Sequence, residues 1–338
     1  WQRLRRGEQR IVIGARSALF APVRDLGILV VDEEHDGSYF QDDLDSKQPL
    51  AYSARDLAVV RSRLAGAAVV LGSATPSLES FWNVRRDKYR LAALPSRVDN
   101  RPLPTVEVVD MRQEPFQRRE RVMFSKTLRL KIRKRLERGE QIVLLQNRRG
   151  FAPVVQCGDC GESVECPRCG VSLTCHGAQI QDLRCHYCDH RQPVPDRCAH
   201  CQSMEVKLQG VGTQKVETAL EEQFPDIRVI RMDVDTTGWK GAHDELVERF
   251  RRREADVLLG TQMVAKGLDF PDVTLVGVIS ADTGLHMPDF RAAERSFQLL
   301  TQVAGRSGRG DQPGEVVIQT RLPDEAVLQA AAQQDFDA

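Results

Sequence analysis

Hydrophobic positions in this chain fall into short continuous runs, separated by longer stretches in which they recur every three or four residues. Ile11-Val12-Ile13, Ile28-Leu29-Val30-Val31 and Val69-Val70-Leu71 are such runs, each followed by Gly or an acidic residue. Uninterrupted apolar runs of this length predict strands covered on both faces, as in a parallel sheet. The same signal returns at Ile142-Val143-Leu144-Leu145, at residues 206–208, 227–232, 257–259 and 273–279, and at Val316-Val317-Ile318. Between the runs lie helical periods. Ser125 is placed to cap a helix in which Leu128, Ile132 and Leu136 recur every four residues and which Gly139 should end. Val216, Leu220 and Phe224 mark a second helix, and Leu246, Val247 and Phe250 a third. Strand alternating with helix predicts an α/β architecture with parallel sheets. Pro95, Pro102, Pro104 and Pro115 predict a linker between two domains.

Composition narrows the class. A chain of 338 residues is long enough for about two domains and a small module. Lys+Arg and Asp+Glu both number 48, so no overall basicity advertises a polyanion partner and any nucleic-acid surface must be local. Arg129, Lys131, Arg133, Lys134, Arg135 and Arg138 crowd the helix after Ser125, a charge run expected to be a solvated face, with a DNA-contacting surface as the rival reading. No apolar run approaches the roughly 18 residues that would span a bilayer. A soluble, cytoplasmic protein is expected. The first residue is Trp, with no leader, which is expected of a segment cut from a longer chain.

All nine cysteines lie between Cys157 and Cys201, and eight form Cys-x2-Cys pairs: Cys157/Cys160, Cys166/Cys169, Cys185/Cys188 and Cys198/Cys201. A two-residue gap lets one tight turn present two sulfurs to one metal, so four pairs predict two structural zinc ions. The fifteen residues between Cys169 and Cys185 fit one four-cysteine site, which leaves the outer pairs for the other. Sequential pairing is the rival. Cys175 is expected to be a small buried thiol, and His176, His186, His190 and His200 are superfluous as ligands once four sulfurs complete each site.

Four further motifs follow strand ends. Asp32-Glu33-Glu34-His35 ends the second run, where ligands bind in open α/β sheets. One carboxylate there can hold hydrated Mg²⁺ while its neighbour positions a water. Ser73-Ala74-Thr75 ends the next run, the stretch from Gly260 to Phe270 carries Gly267 and Asp269, and Gln302-x2-Gly305-Arg306-x-Gly308-Arg309 supplies two arginines of the kind that neutralise a transferring phosphoryl group.

In this order the motifs resemble superfamily 2 helicases. Together with Gly14 to Pro22, Asn147-Arg148-Arg149-Gly150 and the eight cysteines, the chain resembles the primosomal replication-restart helicase family, PriA. The resemblance implies two RecA-like parallel-sheet lobes, the first incomplete, with a small zinc-binding module inserted in the second. Expected boundaries are 1–110 for the first lobe, 111–155 for the start of the second, 156–205 for the module and 206–338 for the remainder. The resemblance further implies ATP-dependent 3′ to 5′ unwinding of forked DNA. Asp32 would organise Mg²⁺, Glu33 polarise the hydrolytic water, and Arg306 and Arg309 reach the γ-phosphate of ATP. Glu34, His35, Gly267, Asp269 and Gln302 would line the nucleotide site. Arg16, Thr261, Asn147, Arg148 and Arg149 are candidates for single-stranded DNA backbone contact, and Tyr39, Phe40 and Tyr52 for base stacking. Primosome proteins and single-stranded-DNA-binding protein are the implied partners.

One element of such a motor is missing. No Gly-Lys-Ser/Thr phosphate loop occurs in the sequence, so the chain alone is expected to hydrolyse ATP poorly. A zinc-dependent DNA- or protein-docking scaffold without turnover is the competing reading, and an RNA helicase the third.

Overall fold

The computed structural model describes residues 1–41, 51–94, 103–117, 120–146, 154–175, 182–209, 212–239, 241–265, 270–308 and 312–336. The chain forms two compact units, Trp1–Ala93 and Leu94–Ala338.

In the first unit, β1 (Ile28–Asp32) pairs in parallel with β4 (Ala68–Gly72), connected through helix α2 (Ala54–Ala65). Ser53 caps α2 by accepting from the Asp56 N–H at 3.2 Å, and Gly66 ends it in the left-handed conformation. The α2 face carrying Ala54 and Ala58 packs with Leu19 and Val31, and Leu29, Leu57, Val69 and Leu71 complete the cluster. The unit also contains a short α1 (Gln2–Arg5), the two-residue strands β2 (Phe40–Gln41) and β3 (Tyr52–Ser53), and α3 (Leu78–Arg85). The Ile11-Val12-Ile13 run is not a strand: Ile11 and Ile13 are 80% and 95% exposed. A strand needs a neighbour for its backbone hydrogen bonds, and among the described residues this sheet contains only β1 and β4.

The second unit is built on a six-stranded parallel sheet. Its strands are β5 (Thr105–Asp110), β8 (Gln141–Leu145), β14 (Val229–Met232), β15 (Val257–Gly260), β16 (Val273–Val278) and β17 (Glu315–Thr320), in the order β14-β15-β8-β16-β17-β5. Between β5 and β8 lie a two-residue hairpin, β6 (Phe116–Gln117) with β7 (Glu120–Arg121), and helix α4 (Lys126–Arg138). Strands β8, β15 and β16 are buried at every position, the outcome expected of their unbroken apolar runs. Successive residues supply opposite faces. Ile142, Leu144, Val257 and Leu259 pack under α4 and α5 (Thr213–Gln223), while Val143, Leu145, Leu258 and Val276 pack under α6 (Ala242–Arg251), α8 (Ala292–Ala304), which follows the one-turn α7 (Asp282–Leu285), and α9 (Ala326–Gln333). Ser125 Oγ caps α4 by accepting from Leu128 N at 3.1 Å, and Gly139 ends it at φ 65°.

Two expectations change here. Residues 105–110, placed in the first lobe and inside the proline-rich linker, form β5, which pairs with β17 over its whole length and lies in the second compact unit. The β-branched run Thr105-Val106-Glu107-Val108-Val109 makes a sound edge strand because the prolines lie outside it. The α4 charge run is also not simply solvated. Lys131 Nζ bridges Glu107 at 2.9 Å and Glu315 at 2.8 Å, and Arg135, 3% exposed, reaches Glu315 at 3.0 Å. These cations tie α4 to neighbouring β5 and β17.

The cysteines fold into a five-stranded antiparallel sheet between β8 and α5. Its strands are β9 (Val154–Cys157), β10 (Thr174–Cys175), β11 (Asp182–Arg184), β12 (Arg191–Pro193) and β13 (Val206–Gln209), in the order β12-β11-β10-β9-β13. The incoming strand β9 pairs directly with the outgoing β13, from Val206 opposite Cys157 to Gln209 opposite Val154. That pairing lets a module of this size interrupt the lobe without separating β8 from α5.

Candidate metal centre and motor site

Each Cys-x2-Cys pair sits on the same backbone turn. The N–H of the residue after the second cysteine (Gly161, Gly170, Asp189 or Gln202) bonds the carbonyl of the first, at 2.9 to 3.1 Å, and that residue takes a positive φ. The turns converge in two groups, Cys157/Cys160/Cys198/Cys201 and Cys166/Cys169/Cys185/Cys188, with all sulfurs of a group within 4.8 Å of one another. This is the nested pairing. Sulfur–sulfur separations of 3.6 Å for Cys157–Cys201, Cys160–Cys198 and Cys166–Cys188 are far from the roughly 2.05 Å of a disulfide. They approach the about 3.8 Å edge of a tetrahedron with Zn–S bonds of about 2.3 Å. The donor sets fit zinc, and four protein sulfurs leave no coordination position for chemistry.

Without a cation the clustered thiols titrate unequally. Burial acts to raise Cys166, but the backbone N–H groups of Arg168 and Cys169 and its sulfur neighbours bring it down to about 7. Hydrogen bonding to Cys188, with burial, pushes Cys169 up to about 12. Cys175 lies apart in the module core with Val155, Leu173 and Leu183, its thiol raised by burial.

At the C-terminal end of β1 the acidic box divides its labour. Asp32 is exposed and its Oδ1 accepts the Glu33 N–H at 3.1 Å, which leaves carboxylate lone pairs for a hydrated cation. Glu33 stands at φ 48°, a strained conformation for a residue with a Cβ. Its Oε2 is buried without a hydrogen-bond donor among the described residues, 3.6 Å from His35 Nδ1. These features fit Mg²⁺ and a water, while the residues that would cradle phosphates are absent from the sequence.

Glu34, expected to line the nucleotide site, sits in a buried hydrogen-bond network. Its carboxylate, in a residue 2% exposed, accepts from Ser77 N at 2.6 Å, Ser77 Oγ at 3.0 Å, Ser80 Oγ at 2.8 Å and Arg55 Nη1 at 3.4 Å. His35 Nδ1 meets Ser73 Oγ at 2.6 Å. The acidic box is thereby bolted to the Ser-Ala-Thr motif and to the start of α3. Sequence reasoning missed Arg55, Ser77 and Ser80. Ser77 as an N-cap was the available signal.

The aromatic candidates of this unit also gather. Tyr39 donates its hydroxyl to the Asp32 carbonyl at 2.7 Å. Burial and the carboxylates of Asp32, Asp36 and Glu33 push its phenol up, so it stays a donor. Tyr39 and Tyr52 pack on the core around Ala54 and Ala58, whereas Phe40 is 53% exposed. Arg16 Nη1 donates to the Phe40 carbonyl at 3.0 Å, and Phe20, which the sequence reading passed over, meets Tyr52 edge-on at 5.7 Å between centroids.

In the second unit the candidates separate. Thr261 follows β15 at the C-terminal end of the sheet, with its N–H on the Met232 carbonyl at 3.4 Å. Gln302 lies near the end of α8 and Arg306 in the turn beyond it, both half-buried. That turn has come back to the start of β16, where Gly308 N bonds the Val273 carbonyl at 3.3 Å. Gly308, at φ 69°, packs against Gly314 so tightly that an added Cβ would stand 2.6 Å from the Gly314 nitrogen. Thr261 and Arg306 therefore mark opposite ends of the strands, about 15 Å apart along them. Asn147, Arg148, Arg149, Gly267, Asp269 and Arg309 lie outside the described residues.

Residues 201–311 match the helicase conserved C-terminal domain, and residues 166–193 match the PriA DNA helicase Cys-rich region. The replication restart protein PriA of Bacillus subtilis (strain 168) is 49% identical over 337 residues, covering 100% of this chain and 41% of that protein. PriA of Chlamydia muridarum is 47% identical (100% and 44%), and PriA of Haemophilus influenzae 43% (97% and 44%). Solved structures resemble the chain only distantly: Saccharomyces cerevisiae Dbp5 bound to RNA and ADP BeF3 gives 12% identity and a TM-score of 0.43, covering 94% of this chain and 58% of that one. RecG bound to a three-way DNA junction gives 11% and 0.42, covering 93% and 30%. The parallel-sheet unit is a RecA-like helicase C-terminal lobe carrying a zinc-binding module. More narrowly, the chain belongs to the PriA family of replication restart proteins, of whose B. subtilis, C. muridarum and H. influenzae members it spans less than half the length.

Proposed function

We propose that this segment is the motor core of an ATP-dependent DNA helicase that moves 3′ to 5′ on single-stranded DNA. In this reading it opens DNA at stalled or collapsed forks and helps reload the replicative helicase in the cytoplasm. The observation that carries the proposal is the strand-end acidic box, in which exposed Asp32 and strained Glu33 stand free of the structural bonds that hold Glu34. Asp32 would hold hydrated Mg²⁺ and Glu33 would orient the attacking water, while Arg306 and Arg309 neutralise charge on the transferring phosphoryl group. His35 in the first unit and Gln302, Gly267 and Asp269 in the second would be further nucleotide contacts. The Tyr39 bond to Asp32 gives the aromatic segment a direct handle on the acidic box, so Phe40, Tyr52 and Arg16 on DNA would be felt at the metal. Thr261 and Asn147 to Arg149 would hold the strand backbone.

Primosome proteins and single-stranded-DNA-binding protein are the proposed partners. Because no Gly-Lys-Ser/Thr loop occurs in these 338 residues, the chain alone is expected to hydrolyse ATP poorly. The test is strand displacement by the complete protein on partial duplexes with either a 3′ or a 5′ single-stranded tail. Displacement in the orientation that requires 3′ to 5′ tracking supports the reading. ATP-independent binding of both substrates without displacement favours the docking scaffold instead.

A further inference from the structure

Residues 282–291 fasten the zinc module to the lobe and then present an aromatic ring. Asp282, 1% exposed, accepts the Arg321 N–H at 3.0 and 3.2 Å and the Thr320 hydroxyl, which fixes the segment to the C-terminal end of β17. One turn later His286 Nε2 donates to the Gly161 carbonyl at 2.7 Å. Gly161 stands at φ 88°, and a Cβ there would lie 2.6 Å from Arg321 Cβ, so this knuckle of the outer metal site sits flush on the lobe. Four residues beyond His286, Phe290 meets Tyr187 of the inner metal site edge to face, with centroids 6.2 Å apart and planes at 72°. The Arg291 guanidinium lies 5.5 Å over the Phe290 ring.

These rings are 71% and 52% exposed, and ion pairs bound them on each side. Arg184 and Arg191 share Asp189, Arg295 bridges Asp289 at 2.5 Å, and Arg291 bridges Glu294 at 2.9 Å. The apolar surface is thus confined to about two rings, well short of the roughly 800 Å² per partner that a stable protein interface covers. It matches the size of a flat, amphipathic nucleobase, which stacks on aromatic rings whatever its identity. A guanidinium behind the ring strengthens such a platform.

We propose that Tyr187 and Phe290 together form a stacking site for an unpaired DNA base at the boundary between zinc module and lobe. This rests on the DNA-motor reading given above. Because Arg184, Arg191, Arg291 and Arg295 are each already held by Asp189, Glu294 or Asp289, the site acts mainly through stacking, and most of its contribution persists as salt is raised.

The zinc-loaded full chain is titrated onto a fluorescein-labelled 20-nucleotide oligothymidylate at two salt concentrations, and onto the same strand carrying 2-aminopurine. Tyr187→Ala and Phe290→Ala should each weaken binding by about 5-fold or more at both salts and reduce aminopurine quenching. Phe290→Trp should retain both signals, Phe290→Leu should lose both, and zinc should stay at two per chain. Where an alanine variant misfolds, the Leu and Trp variants decide. Wild-type DNA binding by Phe290→Leu, or loss of a protein partner with DNA binding intact, overturns the stacking site alone. Failure of the wild-type chain to bind any oligonucleotide sinks this site and the DNA-motor reading with it.

Discussion

The zinc module and the acidic box both gather several polar groups at one point, but they draw on the chain differently. In the module all eight sulfurs come from one continuous stretch, and four near-identical turns aim them in pairs. At the acidic box the neighbours Asp32, Glu33 and Glu34 part company: Asp32 is exposed, Glu33 is half-buried beside His35, and Glu34 enters a buried network with Arg55, Ser77 and Ser80. The module's geometry is thus local and self-contained, whereas the box depends on partners 21 to 46 residues away. Perturbing the first should be confined to the module, and perturbing the second should spread.

The largest effects belong to the metal. Structural zinc supplies on the order of 10 kcal/mol or more of folding free energy to small four-cysteine units. Under the nested pairing, Cys157→Ser with Cys198→Ser destroys only the outer site, and one zinc per chain remains by metal analysis. Cys157→Ser with Cys185→Ser strikes both sites and leaves none. Equal loss in the two variants would contradict the pairing.

Next comes Glu34. Replacing it with Ala strips acceptors from Ser77 and Ser80 and leaves Arg55, only 15% exposed, without that carboxylate. Breaking a buried charge network of this kind costs about 3 kcal/mol, and denaturant unfolding should report it in the first unit with both zincs retained. A Glu34→Ala protein as stable as wild type would remove the contrast between box and module.

A smaller effect lies at the edge of the lobe. Burial acts to raise Glu315, but hydrogen bonds from Lys131 and Arg135 outweigh it and hold the carboxyl below its ordinary value. A depressed folded pKa means that this contribution is fully present above the unfolded value of about 4.3 and is lost as pH falls through the folded one. With Glu315 about a third exposed, the effect should stay below roughly 1 kcal/mol. Glu315→Gln should flatten the acid limb of a stability–pH curve in that window, and an unchanged limb would show that the bridges contribute nothing.

How legible each part was follows from the same contrast. The cysteine spacing encodes its own geometry, so both metal sites and the insertion could be read directly. The α4 caps and the buried strands were equally plain, because Ser125, Gly139 and unbroken aliphatic runs act locally. The β5 strand was hidden because flanking prolines dominate the local signal, while its pairing with β17 is decided some 200 residues away. Residues 11–13 misled for the converse reason, since strand propensity without a partner strand makes no strand. Glu34 looked like its neighbours until Ser77, 43 residues on, claimed it. The meeting of Tyr187 with Phe290 depends on the docking of Gly161 under His286, which no periodicity carries.

The proposed function assigns Asp32 and Glu33 of the acidic box to ATP hydrolysis, while Glu34 is held in a buried structural network. The most direct measurement is DNA-stimulated ATP turnover by the complete protein carrying Glu33→Gln. The account predicts a fall of at least about a hundredfold in kcat, with unfolding free energy and zinc content unchanged. Wild-type turnover in that variant, or a loss that follows only from unfolding, would contradict it.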